Sequence, residues 1–181
     1  DLAVSFPDVA FKFILTENMT MTSEDALNMV SKTNVTVDLA GYTLNTQSID
    51  YLVRYYIGAT DSSFAVISSK PGAKIQSKEL VRISSNHLST ITVSYGSEVS
   101  ESITAELKYL VYAEGNFKRG STLNLSVTKG TYTLSEGLIF VANAADDLSA
   151  ANHYKVNIKD ASITLGNSPV RSEAFRLQGG V

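Results

Sequence analysis

Apolar and polar residues alternate one by one through most of this chain, and that period of two constrains its fold more than any other feature. Successive side chains of a β-strand point to opposite faces. Val35, Val37 and Leu39, set against Thr36, Asp38 and Ala40, therefore specify a strand with one buried face. The same reading applies to Ile91, Val93 and Tyr95 against Thr92 and Ser94, and to Leu123, Leu125 and Val127 against Asn124 and Ser126. Ile103, Ala105, Leu107, Tyr109 and Val111 carry the pattern further, opposite Thr104, Glu106 and Lys108, as a central strand does. More strands are expected at 51–57, 64–67, 80–83, 132–134, 138–141, 154–158 and 163–165, each bounded by Gly, Pro, Asn, Asp or Ser. One stretch, Thr22 to Val30, reads as a short helix. Thr22 is its cap, Glu24 and Asp25 fill the first turn, and Ala26, Leu27 and Val30 form an apolar stripe. Asp146 to Asn152 reads as a loop or a single helical turn, and no internal repeat stands out. The expected fold is an all-β Greek-key sandwich, immunoglobulin-like or jelly-roll, of about nine to twelve strands. It forms one domain over residues 16–181, preceded by an extended arm over residues 1–15.

Composition removes whole classes of function. The net charge is −3 and Lys118-Arg119 is the one tight basic pair, whereas nucleic-acid binding needs a clustered basic face. The chain has no cysteine, which excludes disulfides, thiolate catalysis and cysteine-ligated metals. No apolar run approaches the ~18 residues of a membrane span, and no signal peptide is visible. Charged residues make up 18%, below the usual ~25%, and the 23 Ser and 16 Thr take their place on the surface. The first residue is Asp1 and not Met, which reads as a processed or a trimmed chain, with export the favoured cause.

The amino terminus is one of the most apolar stretches of the chain. Leu2, Val4 and Phe6 fall on even positions, while Val9, Phe11, Phe13 and Leu15 fall on odd ones after Pro7. Because a one-residue shift swaps the buried side of a strand and proline cannot donate to a ladder, Pro7 marks a change of face. Such an arm can serve two sheets, or two molecules. It forms the first strand of its own domain, or it inserts into a neighbour's sheet. From Leu2 to Leu15, together with the β-rich, Ser/Thr-rich remainder, the chain resembles pilus and fimbrial subunits that polymerise through an N-terminal donor strand. That resemblance implies a secreted structural subunit of a cell-surface filament, with no enzyme activity and no cofactor. It implies copies of itself as partners, an assembly chaperone as a further one, and Leu2, Val4, Phe6, Val9, Phe11, Phe13 and Leu15 as the subunit interface.

The remaining candidates carry less. Asn18, Asn34 and Asn124 each begin an Asn-x-Ser/Thr glycosylation sequon, and the outward phase of Asn34 and Asn124 would leave a glycan in solvent. His87 and His153, the only histidines, lack the spacing of a zinc or hydrolase motif and read as surface residues. Asp146 and Asp147, near Asn143 and Asn152, lack the spacing of a calcium loop, and Glu98 and Glu101 have no specified cleft. Tyr51, Tyr55 and Tyr56 cluster as aromatic sugar platforms do. A carbohydrate-binding or adhesive module, with surface glycans as partners, is therefore the alternative function. A viral structural subunit is the third.

Overall fold

The structure is a computed structural model that describes residues 9–22, 27–29, 33–55, 61–84, 87–96, 100–113, 117–118, 120–142, 152–166 and 175–178. Its 14 strands are β1 (Val9–Ile14), β2 (Met19–Thr20), β3 (Leu27–Met29), β4 (Thr33–Asp38), β5 (Thr43–Asn45), β6 (Tyr51–Tyr55), β7 (Ser62–Ile67), β8 (Lys74–Gln76), β9 (Glu79–Ile83), β10 (Thr90–Tyr95), β11 (Thr104–Ala113), β12 (Thr122–Ala142), β13 (His153–Leu165) and β14 (Phe175–Gln178). No helix occurs among the described residues, and Leu27–Met29, expected within a helix, is a strand.

Every pairing among the described residues is parallel, so the expected sandwich is wrong: the chain winds one parallel sheet into a β-solenoid. The pairings fall into three ladders. The first runs β1, β4, β7, β10, then the start of β12 and of β13. The second runs β2, β5, β8, then the start of β11, the middle of β12 and the end of β13. The third runs β3, β6, β9, the end of β11, the end of β12, and β14. Each coil contributes once to each ladder, and each residue pairs with one about a coil away in the sequence. Coils repeat at about 30 residues: Asn34 meets Ser63 across 29 positions and Thr92 meets Asn124 across 32.

Inside, the alternation stacks into rows. Phe11, Val35, Phe64, Val93, Leu125 and Val156 form one; Phe13, Val37, Val66, Tyr95, Val127 and Ile158 form the next. In the third ladder the buried Leu52, Leu80, Leu110 and Leu138 recur at successive coils. Burying such side chains stabilises by roughly 1.5–3 kcal/mol each, and in a solenoid each coil depends on its neighbours for that burial. The outer positions of the first ladder are polar, with Ser63 Oγ donating to Asn34 Oδ1 at 2.7 Å and Asn124 Nδ2 to Thr92 Oγ1 at 3.2 Å.

Buried polar groups sit at the corners, where the backbone leaves the ladders. Asp38 Oδ1 accepts the N–H of Ala40 (3.0 Å) and of Ser69 (2.9 Å). Thr46 and Ser77 join by their hydroxyls, and the Ser121 N–H donates to Asn152 Oδ1 at 3.2 Å. Gly96 takes φ 70° against Thr128, where an added Cβ would lie 1.9 Å from the Thr128 carbonyl oxygen. Only glycine fits that approach.

Candidate functional site

Two features stand out from this scaffold: the edges of its first and last described coils, and a charged cleft on the outside of the third ladder.

At the edges, the inner rows come to the surface. Phe13 is 40% exposed in the first coil, and Val156, Ile158 and Phe175 are 37%, 45% and 47% exposed in the last. They point inward by register, and their exposure comes from having a coil on one side only among the described residues. β13, at 13 residues, is one of the longest strands and pairs only with β12 among them.

Of the expected interface residues, Leu2, Val4 and Phe6 lie outside the described residues. Val9 to Ile14 pairs in parallel with β4 of its own chain. Phe11 packs partly against the core, its ring 6.5 Å from that of Phe13, and Leu15 is buried. Asn18 is exposed and its Oδ1 accepts the Thr43 N–H at 2.9 Å; Asn34 and Asn124 are half-buried in the outer ladder of polar side chains. His87, His153 and Glu101 are exposed. Glu98, Asn143, Asp146, Asp147 and Tyr56 lie outside the described residues. Tyr55 is fully buried with its hydroxyl donating to the Ser63 carbonyl at 2.7 Å, so it cannot join Tyr51 in a surface platform.

The cleft has a volume of about 370 Å³ and is lined by Asp50, Lys78, Glu79, Arg82, Lys108, Tyr109, Tyr112, Glu136 and Phe140. Register explains the assembly. Tyr51 pairs with Glu79 and Glu79 with Tyr109; Arg54 pairs with Arg82, Arg82 with Tyr112, and Tyr112 with Phe140. The Arg82 guanidinium lies 4.9 Å from the ring centres of both Tyr51 and Tyr112, and the Tyr112 and Phe140 rings stack at 4.9 Å and 11°. Cation–π contact and ring stacking thus join four side chains across four coils. Arg82 also holds Glu79 through two hydrogen bonds.

Along the other wall, Lys78 Nζ meets Asp50 Oδ1 at 2.9 Å and Lys108 Nζ meets Glu136 Oε1 at 3.1 Å. Tyr109 donates to Glu136 Oε2 at 2.6 Å. Burial pushes the Glu79 carboxyl above its ordinary range against the pull of Arg82, while the hydrogen bond from Lys78 holds Asp50 below its own. Three carboxylates and three cations line the cleft, so its formal charge balances. The sequence reading missed this site because its members come from four coils whose parallel stacking was not foreseen. The signal available was the recurrence of a charged or aromatic residue just ahead of three of the four buried Leu: Tyr51, Glu79 and Tyr109.

Among the described residues no group of His, Asp and Glu is placed to hold a metal, and no helix is long and apolar enough to cross a membrane. No protein-family model, curated protein or solved structure matches the chain.

Proposed function

We propose that this protein is a structural element, a β-solenoid rod that lengthens head to tail as the last coil of one copy accepts the first coil of the next. The observation that carries the reading is the exposure of inward-facing apolar side chains at both edge coils. A parallel strand added at β13 by the β1 of a second copy continues the inner rows, with Phe11 next to Val156 and Phe13 next to Ile158. On the outside, Ala10, Lys12 and Ile14 fall beside Lys155, Asn157 and Lys159, and no charge meets its like. Strand addition of this kind joins main-chain hydrogen bonds to side-chain pockets, and a heterologous contact that does not close yields a filament. The filament and extracellular setting expected from the N-terminal pattern remain within this proposal, with the mechanism changed from insertion into a sandwich groove to extension of a solenoid.

Light scattering and negative-stain microscopy across a concentration series test it. The wild-type chain is expected to form linear species, and Ile158→Glu to remain a folded monomer. A wild-type chain that stays monomeric throughout would overturn the reading.

A further inference from the structure

The cleft of the third ladder has no part in end-to-end association, and its charges follow a definite order. Asp50, Lys78, Lys108 and Glu136 occupy the same position in four successive coils, immediately before Tyr51, Glu79, Tyr109 and Gly137, which the register aligns. With coils spaced by ~4.8 Å, the four span about 14 Å along the solenoid axis. The order along the axis is acid, base, base, acid. Each lysine turns away from the other toward its outer carboxylate.

We propose that this cleft binds an acidic saccharide, with the ligand's carboxylate between Lys78 and Lys108 and its hydroxyls donating to Asp50 and Glu136. Four observations support that class of ligand. Two adjacent cations flanked by two acceptors match a central anion with hydroxyl donors on either side. Both lysine side chains are over 40% exposed, and solvent-exposed ion pairs are weak enough to be exchanged for a ligand oxygen. The volume falls at the lower end of small-ligand sites. The floor is held in place, because Glu79 is fixed by Arg82, and Arg82 by two rings. The cleft lies along the axis and admits a linear oligomer more readily than a branched one. Tyr51 and Tyr112 do not serve as stacking platforms, since Arg82 covers a face of each; Phe140, which lines the cleft, supplies the apolar contact.

The test is calorimetric titration of the full chain with a hexuronic-acid trisaccharide, a neutral trisaccharide of the same linkage, and sodium sulfate, alongside the Lys78→Gln/Lys108→Gln double variant. The acidic trisaccharide is expected to bind at least tenfold more tightly than the neutral one and to lose tenfold or more in the double variant. Equal affinity for the neutral trisaccharide, unchanged affinity in the double variant, sulfate binding as tightly as the trisaccharide, or no saturable binding would each overturn the proposal. A measurement independent of variants follows the wild-type amide resonances during the titration. Shifts centred on Lys78 and Lys108 support the site, and shifts confined to other coils overturn it.

Discussion

Arg82 donates two hydrogen bonds to Glu79, three positions before it in the chain, from Nε to Oε2 at 3.0 Å and from Nη2 to Oε1 at 3.1 Å. Both side chains are largely withdrawn from water, and a buried ion pair depends on both members being present. Arg82→Met should cost about 3 kcal/mol near neutral pH, because it strands the Glu79 charge. Part of that loss should return in acid as Glu79 takes up a proton. Denaturant unfolding of the variant at two pH values measures both effects.

Because burial raises the Glu79 carboxyl in the folded state, the folded protein binds this proton more readily than the unfolded chain does. The corresponding stability is fully present below the unfolded value and is lost as pH rises through the folded one. Glu79→Gln should remove that decline while keeping an oxygen for Arg82. The readout is the difference in thermal midpoint between variant and wild type across the carboxylate range.

Asp38 titrates in the opposite sense. Burial works to raise its carboxyl, but the N–H groups of Ser69 and Ala40, with the Ser69 side chain and Lys12, hold it below the ordinary aspartate range. Its contribution is present above the unfolded value and disappears as pH falls through the lowered one. Asp38→Ala leaves two N–H donors at a buried corner without their acceptor and should cost about 3 kcal/mol. Asp38→Asn should cost less and should flatten the acid limb of the stability curve.

Two core tyrosines should respond differently to loss of a hydroxyl. Tyr95 donates to the Leu110 carbonyl at 2.6 Å, whereas the Tyr132 hydroxyl is buried without a hydrogen-bond partner. Tyr95→Phe should destabilise by about 1 kcal/mol and Tyr132→Phe should be neutral or stabilising. Equal losses in equilibrium unfolding would contradict this assignment.

Gly72 and Gly96 separate backbone strain from collision. Both have φ in the left-handed region, but a Cβ on Gly72 would meet its nearest atom at 3.6 Å and one on Gly96 at 1.9 Å. Gly72→Ala should cost about 1–2 kcal/mol, the strain of that conformation alone. Gly96→Ala should cost at least twice as much, as thermal melts of the two variants will show.

The strands themselves were legible in the sequence. Val35 and Val37, Ile91 to Tyr95, and Leu123 to Val127 alternate as half-buried strands must, and each lies within a strand. Their pairing was not legible, because alternation looks the same whether the neighbouring strand runs parallel or antiparallel. The distinguishing clue was long-range: Leu52, Leu80, Leu110 and Leu138 recur at nearly constant spacing, the signature of a solenoid repeat. The residues around them vary enough to hide it. Leu27 misled for a local reason, since Thr22 and the acids after it imitate a capped helix, while the register across Val53 and Tyr55 places Leu27 and Met29 in the third ladder. The cleft stayed hidden because Asp50, Lys78, Lys108 and Glu136 are neighbours only once the coils stack.

The most direct test of head-to-tail extension mixes two end-blocked variants. Phe13→Glu closes the first coil and Ile158→Glu the last, and both positions lie at edges where the core bears little on them. Sedimentation should find each variant monomeric alone, their equimolar mixture dimeric, and the wild-type chain in longer species. A mixture that stays monomeric, or either single variant assembling like the wild type, would contradict the account.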